Sequence, residues 1–435
     1  MPDKINILVL AIDSLRADHL GCYGESRPLT PVIDGLAVQG TLWEQCFAPG
    51  IPTHPSFTTL YTGLHPLTHN IVCHGGQAVL EARTPLLPEL LLQAGYTTCA
   101  IDNLGWGKYA WFNRGYEYYL DPSRRQQMPL MVSAEALNQR AIQFLRGHAQ
   151  EPFFLLVHYW DVHTPYLPPE PYRRRFYQGG DPADPANHSL DPLWQHPLGK
   201  TWQDTWFRWV GGVTDSAFVD ALYAGALNYL DEQLGRLLGE LASLGLEKRT
   251  LVVLMADHGE SLTEHGIFYD HHGLYDCCLH VPLILRWPGR ALAGSRRAEL
   301  AQHLDLTPTL LAAAGVEVPA AMEGNDLLAA DRQPPGQVLS AENTWQSKWS
   351  LRTADHKFIL ARRPDHYGNP YRELYDLHAD PGEARSLAAE QPDLCAELEA
   401  ELEGLIRRRL ETLGRAQDPL LEQDITLGKR WGQIS

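Results

Sequence analysis

Apolar residues in this chain gather into short unbroken runs, separated by stretches in which they recur every three or four positions. The runs 5–12, 97–101, 153–158, 250–255 and 281–285 carry almost no polar interruption, as strands buried on both faces do. The periodic stretches 85–94, 134–147 and 221–244 read as helices with one apolar face. Strand alternating with helix predicts an α/β protein with a mostly parallel sheet covered on both sides. Ligands in such sheets sit beyond the carboxyl ends of the strands, so the residues just past each run are the ones to inspect. The chain shows no internal repeat, which argues against a solenoid.

Two regions depart from this pattern. Leu167 to Asp215 is rich in proline, carries Arg173-Arg174-Arg175 and holds Trp194, Trp202, Trp206 and Trp209. An irregular insertion of that length is expected to act as a lid that shapes a pocket, the alternative being a surface excursion packed on its own tryptophans. From about Ala329 the character shifts again: 337–341 and 357–361 read as strands, and 391–413 as an amphipathic helix rich in Glu and Leu. The expected organisation is a catalytic domain over 1–328, with the lid over 168–215, and a smaller α+β subdomain over 329–435 ending in a polar tail.

Charge narrows the choice of partners. Lys plus Arg total 36 and Asp plus Glu 53, a formal charge of −17. A chain this acidic repels a phosphate backbone, so nucleic acid is not an expected partner. No run of about 18 apolar residues is present, so no membrane span is expected. The run 5–12 lacks a small-residue cleavage site and reads as a core strand rather than a signal peptide. Seven scattered cysteines without metal-ligand spacing read as reduced thiols, with a cytoplasmic setting the expectation.

The strand ends carry the chemistry. The first run delivers Asp13, the run 153–158 is followed by Asp161 and His163, and the run 250–255 by Asp257-His258-Gly259-Glu260. His271 and His272 follow about a dozen residues later. Carboxylates and imidazoles converging at one end of a sheet form a ligand set for zinc, manganese or iron. A short helix is predicted to begin after Thr53, with Pro55 in its first turn, apolar Phe57, Leu60 and Tyr61, and Gly63 closing it. A hydroxyl there faces the positive end of the helix, where anions are favoured, or else serves only as an N-cap.

Taken together, these motifs resemble the sulfatase family of the alkaline phosphatase superfamily. The likeness runs from Asn6 to Gly24 around Asp13, Arg16 and Asp18, through the Thr53 helix, Asp161-Val-His163-Thr-Pro and Ala256-Asp257-His258-Gly259-Glu260, to His280-Val-Pro-Leu and Glu373-Leu-Tyr-Asp. It implies an alkaline-phosphatase-like mixed sheet between helices, with a small C-terminal antiparallel sheet and helix. The departures are pointed. Thr53-His-Pro-Ser-Phe57 replaces Cys-x-Pro-Ser-Arg, so the residue that becomes formylglycine is gone. Ser14 stands for a second aspartate, His271 for a lysine, and Asn103 lies where a Gly-Lys-Trp-His segment is replaced.

What the resemblance then implies is a two-metal site. Asp13, Thr53, Asp257 and His258 would hold one divalent cation and Asp161, His163 and His271 the other, with His272 the fallback ligand. Zinc, manganese or iron is expected over calcium. Thr53 and His272 would be catalytic, and Asn103, His163 and His271 would contact substrate. The expected activity is hydrolysis of a phosphoric or phosphonic ester, mono- or diester, through a covalent phosphothreonine. The alternatives are a sulfatase without formylglycine, a transferase of a phosphoryl-containing group, and an inactive binding protein. The expected partner is a small anionic ester, with a homo-oligomer formed partly through 417–435 a companion expectation.

Overall fold

The computed structural model describes residues 4–125, 131–290, 293–364 and 368–425. Its main sheet has nine strands: β1 (Asn6–Ile12), β2 (Thr41–Phe47), β4 (Thr97–Ile101), β5 (Tyr118–Leu120), β6 (Phe153–Tyr159), β7 (Thr250–Ala256), β8 (His280–Arg286), β9 (Ser295–Arg297) and β10 (Ala301–Gln302). They are ordered β10-β2-β8-β7-β1-β6-β4-β5, with β9 beside β2. The expected runs match β1, β4, β6, β7 and β8 to within a residue or so, and in the four parallel strands every residue but one is buried. The core from β7 through β5 is parallel, whereas β8 runs antiparallel to both β7 and β2. The sheet is therefore mixed, with helices packed around it.

A second sheet, β14-β13-β12-β11-β3, comprises β3 (Gly50–Ile51), β11 (Val338–Glu342), β12 (Lys348–Arg352), β13 (His356–Ala361) and β14 (Arg372–Asp376). Four of its strands come from the C-terminal region and form an antiparallel meander, covered by the helix Pro392–Thr412 through Cys395, Leu398, Leu402 and Ile406. The fifth strand comes from near the start of the chain: β3 pairs parallel to β11, with Ile51 opposite Glu342. The C-terminal region thus takes one strand from the first part of the chain. Among the described residues, no helix is long and apolar enough to cross a membrane. Of the tail 417–435, the segment 426–435 lies outside the described residues.

Candidate active site at the ends of the central strands

Register brings the first cluster together. Ile12 sits opposite both Tyr159 of β6 and Ala256 of β7, so the residues after all three strands emerge side by side. Asp13 and Asp257-His258 are thereby neighbours, and their ligand atoms lie within 4.8 Å of one another. Ser14, in the place of a second carboxylate, has a left-handed backbone (φ 59°), rare for a side-chain-bearing residue and common where function over-determines a conformation. It donates from Oγ to Asp13 Oδ1 at 3.0 Å and from its amide to Asp257 Oδ1 at 3.3 Å, tying the two carboxylates together.

Thr53 completes this half. It is the first residue of the helix Thr53–Thr62, whose N-cap is Pro52, so a capping role is not what its hydroxyl performs. Thr53 Oγ1 instead lies 3.4 Å from Asp13 Oδ2 and 3.3 Å from His258 Nε2. Ser56, one turn on, donates to the Asp257 carbonyl at 2.8 Å and fixes the helix over the strand end. The His258 Nδ1 atom faces the Gly259 carbonyl at 2.9 Å, which makes Nδ1 the donor and leaves a lone pair on Nε2.

The second cluster is Asp270, His271 and His272, whose ligand atoms also lie within 4.8 Å of one another. Tyr269, with a left-handed backbone (φ 53°), turns this segment toward the first cluster. The His271 ring stacks on that of His258, centroids 4.2 Å apart, and lies 5.3 Å from the ring of His163. Each ring is oriented from behind. His271 Nδ1 meets Glu260 Oε2 at 3.1 Å, His163 Nδ1 meets the Thr164 carbonyl at 2.6 Å, and His272 Nδ1 meets Glu342 Oε1 at 3.3 Å. An acceptor at Nδ1 fixes the tautomer and presents Nε2 as a lone pair, the arrangement that partners of metal-ligating histidines produce. Glu342 is the last residue of β11, so the second sheet supplies one of these supports.

Charge in the site follows from burial. Burial pushes the Asp13 carboxyl up, but His163, His258 and His158 outweigh it and hold it well below the usual range. Asp257 goes the other way, raised by burial and then by the neighbouring Asp13. Burial also lifts Glu260 to about 7 and Asp270 to about 6. His272 falls to about 4 because burial outweighs the pull of Asp270, so at neutral pH it offers a lone pair rather than a proton. Asp257 Oδ2 is buried without a hydrogen-bond partner among the described residues. A buried, unpartnered carboxylate oxygen beside a second carboxylate and an imidazole lone pair suits a divalent cation, so the residues present fit that group.

The second ligand set differs from the expected Asp161, His163 and His271: of these only His271 falls in the cluster, with Asp270 and His272, and His163 stands beside it. Asp161 does not join His163 and His271. Its Oδ1 accepts the Ala134 amide at 3.1 Å, at the start of the helix Ala134–Gly147, where the helix dipole favours a carboxylate. It lines a separate cavity beside Ser133 and Tyr229, and Asp270 stands with the histidines instead. Asn103 is buried two residues beyond β4, next to Asp102, and is not among the residues that line the cavity at Thr53. Lys108, four residues after Leu104, is engaged by the Gly75 and Gly76 carbonyls. Sequence reasoning also missed His158. Its Nδ1 bonds Asp102 Oδ1 at 2.8 Å and its Nε2 lies 3.4 Å from Asp13 Oδ2. Burial lowers this imidazole, but the two carboxylates more than reverse that and bring it to about 9, a fixed positive charge beneath Asp13. The signal was present: a histidine inside an otherwise apolar strand must have a buried polar partner.

The clusters meet in a cavity of about 240 Å³ lined by Thr53, His74, His163, His271, His272 and a set of tryptophans. With this geometry in hand, comparison with known proteins is decisive for ancestry. The profile described as Sulfatase matches residues 5–316, and that of the N-sulphoglucosamine sulphohydrolase C-terminal region matches 263–409. The chain belongs to the sulfatase family. Within that family it is 25% identical over 469 residues to an N-acetylglucosamine-6-O-sulfatase of Bacteroides thetaiotaomicron, covering 88% of this chain and 82% of the relative. It is also 25% identical to the multifunctional alkaline phosphatase superfamily protein PehA of Trinickia caryophylli, covering 74% and 76%. The crystal structure of a phosphonate monoester hydrolase of Agrobacterium radiobacter superposes with a TM-score of 0.75 at 22% identity, covering 94% and 96%. The sulfatase-family fold, an alkaline-phosphatase-like mixed sheet with a C-terminal unit, is thus the fold of this chain. Its class is that of ester hydrolases.

Proposed function

We propose that this sulfatase-family hydrolase cleaves small anionic esters with Thr53 as nucleophile. The observation that carries the proposal is the seat of Thr53 Oγ1, between Asp13 Oδ2 and His258 Nε2 on the first turn of a helix. A divalent cation held by Asp13, Thr53, Asp257 and His258 would supply the charge that offsets an anionic ester and acidifies a hydroxyl. The Asp13 carboxylate, with lone pairs beyond the one a cation would take, is the acceptor in reach of the Thr53 proton. The positive end of the helix faces the incoming anion. Attack by Oγ1 forms a bond to the acid centre as the bond to the alcohol breaks, and water then releases the anion and restores the hydroxyl. An anion would reach His163 and His271 through a second cation. Asp270, His271 and His272, with His163 beside them, are the residues that would hold such a cation.

Two observations separate on the acid centre. The names of the relatives support sulfuric esters more strongly, since they are mostly sulfatases, including an N-acetylglucosamine-6-O-sulfatase and iduronate 2-sulfatases. The residue at position 53 favours phosphoric or phosphonic esters. Threonine has no aldehyde hydrate through which to expel sulfate, and a phosphoryl group in transfer carries more negative charge for paired cations to offset. A phosphonate monoester hydrolase and a multifunctional relative share the fold or the family. The test is a matched series of 4-nitrophenyl phosphate, phenylphosphonate and sulfate, assayed with zinc, manganese and calcium. The site chemistry predicts kcat/KM for a phosphorus ester at least about a hundredfold above the sulfate, roughly 3 kcal/mol. Equal or reversed values would establish the sulfuric ester as the substrate class.

A further inference from the structure

Two thiols behind the turn 257–260 take no part in the chemistry above. Cys277 and Cys278 stand side by side on the short helix Asp276–Leu279, their Sγ atoms 3.9 Å apart. Their carbonyls accept the Glu260 and Gly259 amides at 3.0 and 2.7 Å, which ties the pair to the residues around His258. The two sulfurs differ in setting. Cys278 is buried and Cys277 partly exposed. The Cys278 thiol and His265 donate to the Cys277 sulfur, and buried Arg16 adds positive charge, while burial and Glu264 oppose them. The donors prevail and hold the Cys277 thiol below its ordinary range, whereas burial and the neighbouring Cys277 drive Cys278 up. His265 comes to this place with a left-handed backbone (φ 59°), its ring stacked 3.6 Å from that of Tyr275. A residue held in that conformation is over-determined by its surroundings. The other cysteines lack this setting. Cys46, Cys73, Cys99 and Cys395 are buried, and burial with Asp34 pushes Cys22, also partly exposed, up to about 12.

We infer that Cys277 is a site of reversible oxidation by a hydroperoxide, with Cys278 as the thiol that resolves it. The geometry supplies what such a site needs: a solvent-touching sulfur, donors that favour its thiolate, and a second thiol beside it. The Cys277 thiolate attacks one peroxide oxygen, an S–O bond forms, the O–O bond breaks, and hydroxide or alkoxide leaves. The Cys278 sulfur then attacks the sulfenic sulfur. An S–S bond forms, the S–O bond breaks, and the hydroxyl departs as water with the Cys278 proton. The two thiols thus supply the two electrons that reduce the peroxide, and an added dithiol reverses the change by exchange. Adjacent Cα atoms are about 3.8 Å apart, nearer than the roughly 4.4–6.8 Å that disulfides usually span, so closing the ring turns the peptide between the two residues. That peptide carries the Cys277 carbonyl, the acceptor of the Glu260 amide, and Glu260 orients His271. Oxidation at the pair therefore reaches the cavity at Thr53.

The test uses the full chain, reduced and then freed of thiol, and reads peptide masses rather than turnover. Hydrogen peroxide in small excess is expected to leave the peptide with Cys277 and Cys278 lighter by two hydrogens, and dithiothreitol to restore it. With dimedone present, Cys278→Ser is expected to carry the adduct at Cys277, and Cys277→Ser to carry none at Cys278. Brief iodoacetamide treatment of the unmodified protein at pH 7, which needs no variant to fold, is expected to label Cys277 at least about tenfold faster than Cys22. Equal labelling of Cys22, oxidation that falls first on another cysteine, or a sulfenic Cys277 that never closes on Cys278 overturns the inference. Ester turnover is expected to fall as the disulfide forms and to return with dithiothreitol, with Cys277→Ser insensitive to the same peroxide. A disulfide that leaves turnover unchanged overturns the link to the turn 257–260.

Discussion

Thr53 carries its role through position more than through reactivity, because its hydroxyl is weak until its neighbours act on it. Thr53→Ala should lower kcat by three or more powers of ten with far-ultraviolet circular dichroism unchanged; loss within about tenfold would remove Thr53 from the chemistry. Asp161 makes a contrasting case. Burial outweighs the Ala134 amide and raises its pKa to about 7, against 3.8 for an exposed aspartate. The folded protein therefore favours protonated Asp161, and its contribution to stability is full below about 4 and lost as the pH rises to about 7. Asp161→Asn should raise Tm relative to the unmodified protein at pH 8 and change it little at pH 3.5, a difference on the order of a few kcal/mol at most. A larger loss at pH 8 than at pH 3.5 would instead mark Asp161 as a charged ligand. Asp13, Thr53, Asp257 and His258 were legible in the sequence because their neighbours fix their placement. Asp161 and Asp270 were not, because which side of a turn a carboxylate faces is decided by a helix terminus and a strained tyrosine elsewhere in the fold.

Among the elements, the turn 257–260 is held through two of its amides. The Gly259 and Glu260 amides donate to the Cys278 and Cys277 carbonyls at 2.7 and 3.0 Å, and a Cβ on Gly259 would stand 2.0 Å from the Cys277 carbonyl oxygen. Gly259→Ala should therefore displace His258 and Glu260 together, lowering Tm by several degrees and activity by at least about a hundredfold, measured by calorimetry and by aryl ester turnover. Strands β1, β4, β6, β7 and β8 and the helices expected over 134–147 and 391–413 were readable within a residue or so because apolar runs and 3.6-residue periods are local signals, whereas the helix expected over 221–244 begins five residues earlier, at Ser216, and β2 was not read at all. The antiparallel placement of β8 and the capture of β3 by the second sheet were not, since pairing partners are chosen by tertiary packing.

At the scale of the whole molecule, the site is a junction. Glu342 of the second sheet accepts the Thr344, Trp345 and Gln346 amides at 2.6, 3.0 and 2.8 Å and also orients His272, while the Gln346 side chain donates to the His272 carbonyl at 2.6 Å. Truncation after Ala329 removes these supports and the partner strand of β3. The shortened chain should be insoluble or aggregate on purification, and a soluble, cooperatively melting fragment would show that the first part folds alone. Chelation of the full chain should abolish ester turnover and lower Tm, with recovery on adding back one divalent metal; unchanged Tm and activity would show that the carboxylate–imidazole clusters bind nothing of consequence.

The pairing of Ile51 with Glu342 bears on how the protein is made. The strand that leads into the Thr53 helix waits for a partner almost three hundred residues downstream. A nascent chain can assemble β1, β6 and β7 while still tethered to the ribosome, since their residues are synthesised earlier. It cannot seat β3 or anchor His272 until β11 has left the exit tunnel. Hydrolytic competence thus arrives late in synthesis, after the sheet that carries Asp13 is already in place.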